Sequence, residues 1–327
     1  MSDIALRFHK DMLVLSAPIA AVLARQGVDT TRDLEYLNLI EPEAVRDALR
    51  LESIAGAQCL VANTEGIAPA RLAHHGMEDH AGELARAALA AVRELRPQHV
   101  LVEVGPCGLP LDGSSAASLN ESRSQYARAA RAFEGCTFDA FLFGGFANPV
   151  DLKCALMGVR QASDLPVFAS VDVDGDGLMP DGRTTIEEAA ALMGEFGASV
   201  AGFASGAPVE RVAALVERVC AAVDLPVLVQ LRVAEHAPRQ GAATPENPYY
   251  CPDVMVEAAA RLRAAGAQFL RAAGDATPAY TGALAAATDG FDVVAPRGEQ
   301  PVEEDEPDLA ELLAAARSGV VAPREEG

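Results

Sequence analysis

Residues 166–205 read PVFASVDVDGDGLMPDGRTTIEEAAALMGEFGASVAGFAS. A short apolar run at 166–173 leads through a turn rich in glycine and aspartate into an amphipathic stretch at 184–197, and a second apolar run follows at 199–205. This order is typical of two parallel strands joined by a helix, because a parallel pairing needs a long crossover connection. The segment therefore predicts one strand–helix–strand unit.

The same unit recurs along the chain. Apolar runs that predict strands lie at 12–18, 59–66, 99–106, 140–145, 166–173, 199–205, 226–233 and 269–274. Each is followed by a helical pattern, at 42–56, 78–96, 120–135, 148–163, 184–197, 208–223, 252–266 and 278–288. Eight such units favour an α/β fold closed into a (β/α)8 TIM barrel. An open doubly wound sheet would place a glycine-rich phosphate loop after the first strand, and LSAPIAAVL (15–23) has none.

The barrel is predicted to occupy residues 1–297 as one domain, followed by a short extension at 298–327. The extension opens with GEQPVEEDEPD, an acidic linker, and Asp308 with Glu311 forms a capping-box pattern for a C-terminal helix. One hypothesis gives this tail a structural or assembly role. Charge runs of this kind usually lie in solvent, which favours a plain connector.

Charge and cysteine content exclude several classes of function. The formal net charge is −21 at pH 7, so nucleic acid would be repelled and is not expected as a partner. No apolar run approaches the ~18 residues of a membrane span, and charges interrupt the opening MSDIALRFHKDM where a secretion signal needs an apolar core. The six cysteines are scattered without a CxxC pair. We therefore expect a cytoplasmic protein with reduced thiols and no membrane association.

Alternation along the strands places polar side chains on one face. In the third strand Val100, Val102 and Val104 share a face, and Glu103 lies on the other. The same reasoning groups further polar side chains opposite the apolar face, namely Asp172, Gln230, Arg232, Glu65 and Arg271. Because the apolar faces should meet the helices, the polar set should point into the barrel. It then forms either a network of paired buried charges or a pocket for a zwitterionic, amino-acid-like ligand.

Five stretches carry a family resemblance by their order and spacing. They are MLVLSAP (12–18), LEYLNLIEPEAVRDALRLESIAGAQCLVANTEG (34–66), VEVGPCG (102–108), PVFASVDVDGDGLMPDGRTTIEEAA (166–190) and GASVAGFASGAP (197–208). Together they resemble the homocysteine S-methyltransferase family, over most of residues 10–290. The resemblance implies the barrel fold and transfer of a methyl group to homocysteine sulfur, with zinc held by three cysteine thiolates.

The positions that carry the family's chemistry differ in this sequence. The cysteine that ends the sixth strand in the family falls on Ser205, and the cysteine pair that ends the eighth strand falls within 271–275, which holds no cysteine. Further changed positions fall on Ser16, Ala17, Gly144 and Glu65. Hydroxyl and methyl groups cannot replace thiolates as zinc ligands, so neither a metal nor another cofactor is predicted.

The resemblance leads to two hypotheses about activity. In the first, the chain is a diverged, zinc-less member of methyl-group or sulfur amino-acid metabolism that retains binding of a small amino-acid-like ligand or of a methyl-transfer partner protein. In the alternative it is an active thiol methyltransferase whose zinc ligands have moved to Cys107, His236 and Cys251. Catalytic residues stay unassigned, and whether the chain is an enzyme stays open.

The predicted ligand pocket lies at the carboxyl ends of the strands, where TIM barrels hold their sites. Its candidate residues are Asn63, Thr64, Glu65, Glu103, Gly105, Asp172, Ser205 and Arg232.

Overall fold

Eight parallel strands close into a barrel in a computed structural model that describes residues 3–30, 33–235 and 241–295. Each strand pairs with its neighbours in chain order, and the last pairs with the first, so the predicted TIM barrel is confirmed. The strands are β1 (Leu13–Leu15), β2 (Cys59–Ala62), β3 (His99–Val104), β4 (Ala140–Phe146), β5 (Val167–Asp172), β6 (Val200–Ser205), β7 (Val227–Val233) and β8 (Ala267–Gly274).

Helices surround this barrel and follow the predicted stretches. Within the described residues they are α1 (Ala20–Arg25), α2 (Leu37–Ile40), α3 (Pro42–Ile54), α4 (Pro69–Leu72), α5 (Ala81–Glu94), α6 (Ala116–Arg131), α7 (Pro149–Val159), α8 (Ile186–Glu195), α9 (Val209–Ala222), α10 (Val254–Ala265) and α11 (Pro278–Thr288). Each predicted helical stretch overlaps one of them. The pattern did not predict α1, α2 and α4, which are short helices in the connections after β1 and β2.

The alternation predicted for the strands is confirmed by two separate apolar clusters. Val100, Val102 and Val104 belong to the large cluster between the strands and the helices. Leu101 and Leu228 belong to a smaller cluster inside the barrel. Polar residues that alternate with these valines therefore face the barrel interior.

The amino end of the barrel is filled by the segment before β1. Ile4 lies in the inner cluster, and the Phe8 ring packs edge-on against Phe168 and Phe269, with 6.0 Å between ring centroids in both cases. Such aromatic contacts bury a large apolar area and exclude water. Any cavity of the barrel must therefore open at its carboxyl end.

The predicted acidic linker and C-terminal helix at 298–327 lie outside the described residues, as does the predicted domain boundary at 297. Among the helices of the described ranges, none is long and apolar enough to cross a membrane.

Candidate functional site

An ion pair lies inside the barrel between β8 and β3. Arg271 is 1% exposed, and its two terminal nitrogens donate to the two oxygens of Glu103 at 2.7 and 2.8 Å. Its Nε donates to the carbonyl oxygen of Ser16 at 2.9 Å. This bidentate geometry offsets the cost of burying both charges, which is large when either is left alone.

Gln230 extends the ion pair into a network across the barrel. Its Oε1 accepts from Nη1 of Arg271 at 3.2 Å, and its Nε2 donates to Oγ of Ser170 at 2.8 Å. These hydrogen bonds thus connect β3, β5, β7 and β8. The network predicted from strand alternation is present for Glu103, Gln230 and Arg271.

A cavity of about 940 Å³ lies above this network, within the size range of sites for small ligands. Glu103 and Arg271 form part of its lining, so the ion pair is the floor of the cavity. The other lining residues come mainly from the carboxyl ends of β1 and β2 and the connections that follow them, and include Ile19, Asp33, Leu34, Glu35, Asn63, Thr64, Glu65, Arg71, His74 and His75.

A second charged cluster borders the mouth of the cavity. Arg71, on α4, forms ion pairs with Asp33 and with Glu65, the latter at 3.3 Å between Nη1 and Oε1. The Glu65 side chain is 55% exposed, so it faces the open side of the cavity. A Cβ at Gly105 would lie 2.8 Å from Cγ of Glu65, so any larger residue there would displace this side chain.

Glu35 is the most deeply buried acid of the cavity lining, at 2% exposed. Its Oε1 accepts from the backbone N–H of Gly66 at 2.5 Å, whereas Oε2 has no hydrogen-bond partner. Burial raises the pKa of Glu35 to about 7, although the Gly66 N–H and the charge of Arg71 act in the opposite direction. The Glu35 carboxyl group is therefore poised to change charge near neutral pH.

The predicted residues Asn63 and Thr64 connect the loops that form the cavity. The Asn63 amide donates to the carbonyl oxygen of Leu34 at 2.9 Å and to Oδ1 of Asn38 at 3.0 Å. Thr64 Oγ1 donates to the carbonyl oxygen of Glu103 at 2.8 Å and accepts from its N–H at 3.0 Å. Both residues line the cavity and fix the backbone at Leu34 and Glu103 beside it.

The remaining predicted residues lie on another part of the barrel mouth. Asp172 at the end of β5 pairs with Arg232 on β7 at 2.6 Å, and the Arg232 side chain is 46% exposed. Ser205 lines a separate depression of about 500 Å³, and its Oγ accepts from the N–H of Ala207 at 3.3 Å. The structure therefore brings Asn63, Thr64, Glu65, Glu103 and Gly105 together and leaves Asp172, Ser205 and Arg232 apart from them.

At the strand ends to which the resemblance assigns the family's zinc ligands, the side chains present do not suit zinc. The strand ends there carry Ser205, Ala273 and Gly274, which supply one hydroxyl and no thiolate. Gly274 has a backbone φ of +70°, and a Cβ at this position would overlap the carbonyl oxygen of Val233. In the described ranges no group of three histidine, cysteine, aspartate or glutamate side chains is arranged to hold a metal ion.

Two of the three proposed relocated zinc ligands lie in the described part of the chain. Cys107 is 2% exposed and belongs to the outer apolar cluster, and its backbone N–H donates to the hydroxyl of Tyr126 at 2.9 Å. Cys251 lies half-buried in the connection before α10. His236 falls outside the described residues, so the relocated site stays a prediction.

A closed (β/α)8 barrel with a charged cavity at the carboxyl ends of its strands defines the general class of this protein. Residues 14–287 match the family model described as homocysteine S-methyltransferase, and the chain therefore belongs to that family. The resemblance noted in the sequence is thereby confirmed.

Solved structures of the Escherichia coli homocysteine methyltransferase MmuM share the fold. The oxidized form is 20% identical with a TM-score of 0.70, and the metallated form is 19% identical with a TM-score of 0.68. Each comparison covers 84% of this chain and 96% of the other. Comparison with curated protein sequences gives no match.

Proposed function

We propose that this chain is a diverged, zinc-less member of the family that does not catalyse zinc-dependent methyl transfer to homocysteine and that uses its barrel cavity to bind a small molecule. The observation that carries the proposal is the donor set at the ends of β6 and β8, where Ser205, Ala273 and Gly274 stand. A thiol attacks a methyl group as its thiolate, and zinc coordination supplies that form near neutral pH. One hydroxyl cannot hold zinc for this purpose.

The interior ion pair supports the same proposal, because it occupies the space beside one of the altered positions, Gly144. The family's glutamate on the fourth strand falls on Gly144, and a Cβ there would lie 2.9 Å from Oε1 of Glu103. Arg271 stands where the family's eighth-strand pattern begins with glycine. The guanidinium of Arg271 and the carboxylate of Glu103 thus fill this part of the barrel.

The cavity supports retained binding. Its volume of about 940 Å³ and its mixed lining of charged and apolar side chains suit a small polar molecule with an apolar part. The cytoplasmic location, a role in methyl-group or sulfur amino-acid metabolism and a methyl-transfer partner protein stay predictions.

The test is the zinc content of the full chain purified without added metal, measured by mass spectrometry, together with calorimetric titration with homocysteine and methionine. We expect far less than one zinc ion per chain, and no methionine formed when homocysteine is supplied together with a sulfonium methyl donor. Tightly held zinc at one per chain, with methionine produced on turnover, would overturn the proposal.

Two variants identify the source of any zinc that is found. Cys107→Ala and Cys251→Ala remove proposed relocated ligands, and Cys136→Ala removes a half-buried cysteine outside that set. Zinc lost from the first two variants and kept by the third would favour the relocated site, and methionine formation lost in the same two variants would favour the active thiol methyltransferase.

A further inference from the structure

We infer that the outer side of α11 is a docking surface for the C-terminal segment of the same chain, residues 308–320. The surface consists of α11 together with four exposed apolar side chains around it, and we call it the α11 face. Those side chains are Leu51, Ile54, Val256 and Phe291. The α11 face lies on the outer wall of the barrel, so the inference is independent of the function proposed for the cavity.

Helix α11 carries no charged residue. Its sequence is PAYTGALAAAT, whereas every other described helix of eight or more residues carries at least two charged residues. Ala279 and Ala286 are exposed on its outer side, and Ala283 and Ala287 are half-buried. A helix on the surface of a protein normally has a polar outer side, so an apolar outer side is typical of a helix that another element covers.

Large apolar side chains are concentrated around α11. Seven of them are exposed in the described ranges, and four of these seven belong to the α11 face. Ile54 is the most exposed of the seven, at 73%. Single exposed apolar side chains are normal on a protein surface, whereas a contiguous group marks a surface for interaction.

Helix α3 turns Leu51 towards α11. A Cβ at Gly282 would lie 3.8 Å from Cβ of Ala55, so the end of α3 lies directly against α11. Leu51 precedes Ala55 by one helical turn and therefore lies on the same side of α3. Ile54 follows Leu51 by three residues, which makes the two side chains neighbours on the surface of the helix.

Helix α10 places Val256 on the opposite side of α11. The guanidinium of Arg263 on α10 lies over the ring of Phe291, 4.7 Å from its centroid, and Phe291 comes just after α11. Val256 precedes Arg263 by two helical turns, so it lies on the same side of α10. The exposed apolar side chains from α3 and α10 thus border α11 on both sides.

The described chain ends beside the α11 face. The Val293 N–H donates to the carbonyl oxygen of Lys10 at 2.9 Å, which holds the chain against the amino end of the barrel. The described residues end at Ala295, close in sequence to α11. Residues 296–307 can span about 40 Å when extended, whereas α11 is about 17 Å long. Residues 308–320 can therefore reach every part of the face.

The sequence of this segment suits an uncharged surface. Apolar residues recur at helical spacing after the capping-box pattern, and form a stripe of Leu309, Leu312, Leu313 and Ala316. An isolated helix of this length is only marginally stable in water, so the predicted helix needs a surface on which to bury its stripe. The α11 face offers apolar side chains at its borders and small alanine side chains in the middle, which allow a second helix to approach closely.

Two isoleucines of the barrel serve as matched probes of this docking. Ile54 belongs to the α11 face and is 73% exposed in the described barrel, and Ile40 on α2 lies outside the face and is 63% exposed. Hydroxyl-radical footprinting of the full chain, read by mass spectrometry, measures how fast each side chain is oxidised. Because a docked helix would cover most of the Ile54 side chain, we expect Ile54 to be oxidised at least about threefold more slowly than Ile40.

A pair of double variants tests whether the C-terminal segment is the cover. Leu312→Gln combined with Leu313→Gln removes the apolar stripe and keeps residues of good helix propensity. In that variant Ile54 should be oxidised about as fast as Ile40. Ala314→Gln combined with Ala315→Gln is the matched control, because these residues lie on the other side of the predicted helix, and it should leave Ile54 protected.

Three outcomes would overturn the inference. Equal oxidation of Ile54 and Ile40 in the native protein would show that nothing covers the α11 face. Protection of Ile54 that survives the double leucine variant would exclude the C-terminal segment as the cover. Protection that disappears on dilution, while light scattering shows a dimer separating into monomers, would show that a second copy covers the face. The zinc content of the protein affects none of these results, so the proposed function is tested separately.

Discussion

Replacing Glu35 by glutamine should remove a pH-dependent loss of folding stability. In the native protein burial raises the pKa of this carboxyl group from 4.5 to about 7. The folded state therefore holds the proton more tightly than the unfolded state does. As the pH rises from about 4.5 to about 7 the unfolded state loses its proton first, so the free energy of unfolding falls across that window and stays low above it.

The size of the effect follows from the shift in pKa. The difference between 4.5 and about 7 is about 2.5 pH units, and each unit corresponds to 1.36 kcal/mol, which gives about 3 kcal/mol. Glutamine does not titrate, and its Oε1 still accepts from the N–H of Gly66. The stability of Glu35→Gln relative to the native protein should therefore increase by about 3 kcal/mol between pH 4 and pH 8.

Urea denaturation at a series of pH values measures this difference directly. The other acids titrate in both proteins, so subtracting the two curves leaves the contribution of residue 35. Glu195→Gln, on the exposed surface of α8, is the matched control and should run parallel to the native curve. Parallel curves for Glu35→Gln as well would refute the reasoning, because Glu35 would then titrate alike in the folded and unfolded chains.

Four further substitutions, in two pairs, test the barrel interior and the strand ends. Arg271→Met leaves the Glu103 carboxylate buried without its partner, so the free energy of unfolding measured by urea denaturation should fall by about 3–5 kcal/mol. Adding Glu103→Leu should recover much of this loss. A double variant no more stable than the single one would contradict the reasoning. Gly274→Cys forces a side chain against the carbonyl oxygen of Val233 at a positive φ, so we expect the protein to be destabilised by about 1–3 kcal/mol and to gain no zinc. Ser205→Cys, by contrast, should leave the stability unchanged. Stoichiometric zinc in a stable Gly274→Cys protein would show that the strand end accepts the thiolate after all.

The barrel could be predicted because its signals are local. Each strand and its following helix are encoded in about 30 neighbouring residues through the spacing of apolar side chains. The alternation in β3 and β7 also placed Glu103 and Gln230 inside the barrel, since successive side chains of a strand point to opposite faces. The rule that buried charges are compensated predicted a network without naming its pairs, and the structure shows that Arg271 is the partner of both.

Sequence reasoning missed Glu35, Asp33 and Arg71 as cavity residues. All three lie in or beside connections, where no regular period tells which side chains are buried. A signal was present in LEYLN (34–38), where an acid stands beside Leu34 in a stretch of mostly buried residues. It could not be interpreted without knowing that Gly66 lies opposite and donates its N–H to the carboxylate.

The amino-acid sequence by itself determined the repeated strand–helix unit and the inward faces of β3, β5 and β7, and it predicted that thiolates are missing at the family's zinc positions. These depend on residue type and on spacing within one segment. Only the tertiary structure decided which charges meet, since Glu35, Arg71, Glu103 and Arg271 are brought together by closure of the barrel and by the loops above it. The energy of a charge depends on its neighbours and its exposure, and both are properties of the folded chain.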